Sequence, residues 1–356
     1  MTVASRFNVY TPVWPIESAM YTCQLDPTLE RVTAGSMRFP LGVYPVEPIS
    51  PIQGYAVEFE PADGAEDGSD LEEWPDRYVY DIMVSIERLP LLIVQLLSLM
   101  PSRVYPILDF IGHDEFREID PYISYERIGT DQIIDATRQF RGFFYEDGMC
   151  GFGAMCEEPF FYLFVDEHKI LTVRVEPTLK PRVDKLLEAM DLPETTDLAG
   201  VDTVAHEHRS VLVVPAEPSN VLSAEEIVGF LRQEWRLTLN IDPESNVDDE
   251  GNELGVTGWR TVFRCVSGED EIPRYGESFL WAGNLLEAED MALKAAESLM
   301  GDLGAGEWRD VAVLALDRVS DERLGELLKG RRADVSAELR EKRPRVIEAH
   351  WLDATS

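Results

Sequence analysis

Thirty-five uncompensated negative charges constrain this chain more than any other feature. Asp and Glu total 67 against 32 Lys and Arg in 356 residues. Like charges must sit apart in water, so the apolar residues have to gather in a few dense elements while the acids cover the outside. A surface of this sign repels phosphate backbones and anionic lipid headgroups. Neither a nucleic-acid binder nor a membrane-surface protein is therefore expected. It favours cations: a protein partner with a basic surface, or a bound metal ion. It also suits a chain that simply needs a well-hydrated surface.

With 45% apolar residues the composition is globular. Cys23, Cys150, Cys156 and Cys265 are too scattered for a disulfide framework. Met1 to Tyr10 lacks the apolar segment of a secretory signal, and the longest uncharged apolar run, Leu89 to Ser102, is too short to span a bilayer. A cytoplasmic location is the expectation.

Local patterns divide the chain into five stretches. Residues 1–60 are Pro-rich and aromatic, which forbids a long helix and favours short or extended strands, with Tyr55 to Glu60 alternating. Residues 61–76 read as an acidic linker. Residues 77–192 read as an α+β unit. It has a strand at Tyr78 to Ile86, a buried helix at Leu89 to Met100 opened by Pro90, and a helix capped by Thr130. A strand at Phe143 to Tyr145 is expected to turn at Asp147-Gly148, and Phe160 to Val165 to pair with Ile170 to Val175 around Asp166 to Lys169.

Residues 204–320 read as β-α-β-β-(β)-α-β, a ferredoxin-like order with two helices on one face of an antiparallel sheet. Ser223 and Glu226 form a capping box, with Leu222 and Ile227 as its staple. Residues 321–356 invert the charge and read as a basic helix or tail that pairs with the acidic body of the same chain. The fold class expected is α+β, a Pro-rich N-terminal segment followed by two α/β sandwich units.

His206-Glu207-His208 is the one close histidine pair. Residues two apart on a strand share a face, so both imidazoles can reach one metal, although no third ligand is identifiable and an exposed loop also explains the pair. Asp166-Glu167-His168 offers a general base, or a plain polar turn. Tyr145, Met149, Phe152 and Met155 lie among acids and resemble a surface for a partially basic partner, unless they alternate into the core. From Asn246, the acidic loop imitates the start of a calcium site but has Thr257 where the bidentate Glu belongs. Gly301, Gly304 and Gly306 follow a helix rather than precede one, which is the wrong order for binding phosphate.

No cofactor is implied, and no catalytic set is identifiable. A non-catalytic binding or scaffolding protein is thus the leading expectation. A metal-dependent enzyme using His206 and His208, or a small-ligand sensor, are the alternatives.

Overall fold

The computed structural model describes residues 21–62, 74–215, 219–267, 273–302, 308–331 and 335–352. Tyr10, Trp14, most of the acidic linker, and Gly304 and Gly306 lie outside them. The protein mixes helices with antiparallel sheets, as an α+β chain should.

Short strands β1 (Thr33–Ala34), β2 (Met37–Arg38) and β3 (Val43–Pro45) precede β4 (Gly54–Glu60) and β5 (Arg77–Met83). Helix α1 (Leu89–Leu97) leads to β6 (Arg103–Phe110), β7 (Asp120–Ile123) and β8 (Ile128–Gly129). Helices α2 (Thr130–Gln139) and α3 (Arg141–Glu146) are followed by the meander β9 (Cys150–Glu157), β10 (Phe160–Val165) and β11 (Leu171–Val175). Then come α4 (Lys180–Ala189), β12 (His206–His208), α5 (Ala224–Glu234) and β13 (Thr238–Leu239). The rest is β14 (Thr257–Ser267), β15 (Pro273–Ala282), α6 (Leu285–Asp302), β16 (Trp308–Val319), α7 (Asp321–Leu328), α8 (Val335–Arg340) and β17 (Arg345–Trp351).

The large sheet runs β13-β7-β6-β9-β10-β11-β5-β4, with β8 also paired to β6. Its strands alternate as their sequences require. Val104, Leu108 and Phe110 of β6, and Leu171, Val173 and Val175 of β11, point to one face. Helices cover that face and share one core with it. Leu92 and Leu96 of α1, Ile133 of α2, Phe143 and Phe144 of α3, and Val183 and Leu187 of α4 are all buried there. Burying such a side chain contributes about 1.5–3 kcal/mol, which is what holds the helix layer to the sheet.

Two expected elements take different forms. Phe143 to Tyr145 is not a strand: it belongs to α3, whose last turn closes with Asp147 N–H donating to Gly142 O at 3.0 Å. Tyr145 and Phe152 are 2% and 1% exposed and meet edge to face, so they fill the core and cannot face a partner. Met149 and Met155 are half-buried.

Helix α5 also departs from the expected ferredoxin-like unit. Its capping box forms as read, Glu226 N–H donating to Ser223 Oγ at 3.2 Å and Ser223 N–H to Glu226 Oε2 at 3.0 Å. Its apolar face, however, joins the first core, where Trp235 stacks on Phe144 at 5.8 Å. Strand β13 pairs with β7 of the same sheet, and Ser210 to Val214 contributes only a bridge from Leu212 to Leu25.

The second sheet is therefore built differently, in the order β16-β14-β15-β17, all antiparallel. Helix α6 lays Ala288, Ala292 and Ala296 on one face, against Trp259, Leu280 and Phe263. Leu324 and Leu328 of α7 pack on the other, against Phe279, Trp281 and Ile347. The stretch expected as a basic tail supplies α7, α8 and an edge strand. Lys342 pairs with Asp321 at 2.7 Å, an ion pair within this stretch rather than one with the acidic body.

Arg318 joins the two sheets. It is 4% exposed, and its Nε donates to both Asp114 oxygens at 2.9 and 3.0 Å. Its backbone N–H reaches Asp114 Oδ2 at 2.9 Å, and its guanidinium also donates to Asn246 Oδ1 and Val247 O.

Candidate metal centre

Strand β12 pairs with β3, setting His206 opposite Pro45 and His208 opposite Val43. The two imidazoles share a face as their spacing demands, with ring centroids 5.0 Å apart. The β10–β11 turn brings a third ring to them. His168 lies 4.9 Å from His206 and 4.6 Å from His208. One ligand atom from each of the three falls within 4.8 Å of the others.

Backbone geometry explains the convergence. Asp166 N–H donates to Ile170 O at 3.0 Å and Ile170 N–H donates to Asp166 Oδ1 at 2.7 Å, closing the turn, and Lys169 takes φ 66°. Lys169 is 3% exposed and its ammonium donates to the Cys150 carbonyl, pinning the turn to β9. On the other side, Gly42, Gly148 and Arg209 interlock. Gly148 N–H donates to Arg209 O at 3.2 Å and Arg209 N–H to Gly42 O at 2.9 Å. A Cβ on Gly42 would stand 2.0 Å from Gly148 N, so only glycine fits. Asp147, fully buried, accepts from Met149 N–H at 2.8 Å, Val211 N–H at 2.9 Å and Ser210 Oγ at 3.1 Å, tying the Gly148 and Arg209 segments together.

The hydrogen bonds decide which nitrogen of each ring is available. His206 Nδ1 donates to Val204 O at 2.7 Å, and His208 Nδ1 to Gly148 O at 2.9 Å. A carbonyl can only accept, so both rings carry their proton on Nδ1 and present a lone pair on Nε2. His168 Nδ1 faces Asp166 Oδ2 at 3.2 Å and Glu167 Oε1 at 3.3 Å, which imposes the same tautomer. An Nδ1 anchored by a carbonyl or carboxylate is how a metal-ligating histidine is oriented.

The Nε2 atoms of His168 and His206 stand 3.0 Å apart. Two lone pairs repel at that distance, so a proton or a cation must lie between them. Ligand nitrogens around a tetrahedral zinc are separated by roughly 3.4 Å. Burial opposes protonation of His168, but the Asp166 hydrogen bond and the charges of Asp166, Glu167 and Asp202 outweigh it and raise its pKa. Burial, with the neighbouring His168 and His206, lowers that of His208. On the next strand, burial and the Glu167 charge push Asp109 up to about 6.

The sequence pair was thus half of a larger group. His168 is 38 residues from His206 and stood in a separate candidate turn; its only local signal was a histidine beside two acids between strands. The other candidates assemble nothing comparable. Cys150 and Cys156 are free, buried thiols, and burial pushes Cys156 up to about 11. In the acidic loop, Asn246 donates to Gly255 O at 2.6 Å and Thr257 Oγ1 at 3.0 Å, while Asp248 accepts from Asn252 and Glu250. Asn246 and Asp248 are thus engaged largely by the loop's own backbone.

No protein-family model matches the chain, and no match was found among curated proteins or solved structures. Among the described residues, no helix is long and apolar enough to cross a membrane.

Proposed function

We propose that this protein holds a divalent transition-metal ion of the zinc class on Nε2 of His168, His206 and His208. The carrying observation is that an acceptor holds Nδ1 of every one of the three rings, so the nitrogen each ring has left to offer a metal is Nε2. Three imidazoles leave a fourth position, as catalytic rather than structural zinc sites do. All three rings are only half-buried, so water or a substrate can reach that position. Water bound there has its pKa brought to near 7, which makes hydrolysis by a metal-bound hydroxide the reaction class this arrangement supports. Asp166 and Glu167 act as positioning residues, fixing His168 through Nδ1.

Metal analysis tests the reading directly. Protein purified without chelator should carry one zinc-class ion per chain. After chelation, Zn²⁺ titration should show one tight site that weakens at least tenfold in His206→Ala and in His168→Ala. Because the acidic surface attracts cations anyway, the control is the chain with all three histidines replaced. Equal Zn²⁺ uptake by that variant would overturn the proposal.

A second reading has its own observation. The face of the large sheet opposite its helix layer carries Tyr105, Met155, Tyr162 and Phe164, all half-buried, on an otherwise acidic chain. That suits a non-catalytic role in binding a partner with apolar and basic groups. Repeated failure to capture a partner at physiological salt would count against it.

A further inference from the structure

A cavity of ≈ 90 Å³ lies between the two sheets. Its walls come from the end of β6, from β7 and α5 on one side, and from α6 and β16 on the other. This volume has room for several water-sized groups.

Two donors in the wall have nothing to donate to. Tyr122 of β7 is 6% exposed, and its hydroxyl has no hydrogen-bond partner among the described residues. Arg232 of α5 lies over the same ring at 5.4 Å, and its guanidinium makes no hydrogen bond or close ion pair among the described residues. Neither group is sealed from a water-sized neighbour, so both open into the cavity they line. A buried hydroxyl and a five-donor guanidinium ordinarily find acceptors.

The nearest carboxylates are engaged or closed. Asp120 attracts Arg232 through space but binds Arg117, at 2.6 Å. Asp317 accepts from His113 N–H at 3.4 Å, and its other oxygen is shut in. Glu225 and Glu289 also line the cavity; both are half-buried, and neither has an ion-pair partner among the described residues. On α5, Glu225, Val228 and Arg232 are spaced i, i+3, i+7 and share a face, with about 10 Å of helix between the two charged residues. The order along the wall is therefore anion, apolar side chain, cation. Four carboxylates against two guanidiniums oppose a purely anionic ligand. A purely cationic one would leave Tyr122 and Arg232 without an acceptor.

We propose that this cavity binds a small zwitterion of the ω-amino-acid class. Its carboxylate accepts from Arg232 and the Tyr122 hydroxyl, its methylenes lie against Val228, and its ammonium meets Glu225 and Glu289. The ligand brings no net charge, and each end makes charge-assisted hydrogen bonds with groups that otherwise have none.

The test is calorimetric titration of the chelator-treated protein with δ-aminovalerate, with valerate and n-butylammonium as counterparts that keep one charge each. The zwitterion is expected to bind at least tenfold more tightly than either counterpart. Arg232→Gln should weaken it at least tenfold, and Tyr122→Phe, which removes only the hydroxyl, at least fivefold. The variant lacking all three histidines should bind like the unaltered chain; loss of binding there would move the ligand to the metal centre and overturn the proposal. Thermal unfolding verifies that each variant is folded. No binding by the unaltered chain, equal binding of a single-charge counterpart, or unchanged binding in both Arg232→Gln and Tyr122→Phe would also overturn it.

Discussion

Asp317 is buried, and one of its oxygens has no hydrogen-bond partner among the described residues. Burial, reinforced by Asp120 and Asp114 and opposed by His113 and Arg260, pushes its pKa up to about 6, against about 3.9 in an unfolded chain. The folded protein therefore takes up this proton before the unfolded chain does. Above pH 6 both states are ionised, and the buried charge costs on the order of 2–3 kcal/mol. As pH falls from 6 towards 4 that cost is removed, and this group's share of stability is regained. Asp317→Asn should accordingly be more stable than the unaltered chain at pH 7.5, by about 1–3 kcal/mol, with the gain fading towards pH 4. Urea unfolding at the two pH values measures it, and a difference independent of pH would refute it. Nothing local marked this residue. It is one carboxylate among 67, and its burial depends on the packing of α5 and α6, which no neighbouring residue announces.

Elements were legible where their own sequence closes the argument. The capping box at Ser223 and Glu226, the proline opening α1, and the β10–β11 pairing between Phe160 and Val175 can each be read from a short local stretch, and each is present. Phe143 to Tyr145 was misread because a short apolar run suits strand and helix alike; α3 follows α2 directly, and Asp147 serves to end it rather than to turn a hairpin. The candidate site was legible in two of its three rings. Period-two spacing placed His206 and His208 on one face, but pairing β12 with β3 and docking it on the β10–β11 turn are long-range events. The β3–β12 ribbon depends on Gly42 lying against Gly148, whose carbonyl orients His208. In Gly42→Ala the added Cβ meets backbone at 2.0 Å, which must push the segments apart. A stability loss above about 2 kcal/mol is expected, together with at least a tenfold loss of Zn²⁺ affinity. Unfolding and zinc titration of this one variant check both, and an unchanged zinc affinity would show that the ribbon does not position the ring.

At the level of the whole molecule, α+β composition was readable and the assignment of helices to sheets was not. Helix α5 carries a face of Ile227, Val228, Leu231 and Trp235 that would suit either sheet; the aromatic pocket around Phe144 decides between them. The sheets are then linked through the buried Arg318–Asp114 pair. Removing one partner of such a pair strands the other charge and typically costs 3–5 kcal/mol. Arg318→Ala should therefore loosen one sheet from the other. Calorimetry should resolve two thermal transitions where the unaltered chain gives one, and a single transition with unchanged midpoint would refute the link.

Strand β17 has an implication for the order in which this protein is made. It pairs along β15 from Gly276–Trp351 to Trp281–Arg345, and among the described residues no other strand pairs with that edge. All three histidines have left the ribosome while β15 is still being translated. The second sheet must then wait, with one strand's amides and carbonyls open to water, until residues 345–351 emerge. On a growing chain, the half that carries the three histidines can begin folding early, whereas the edge of β15 is paired only once the seven residues of β17 have emerged.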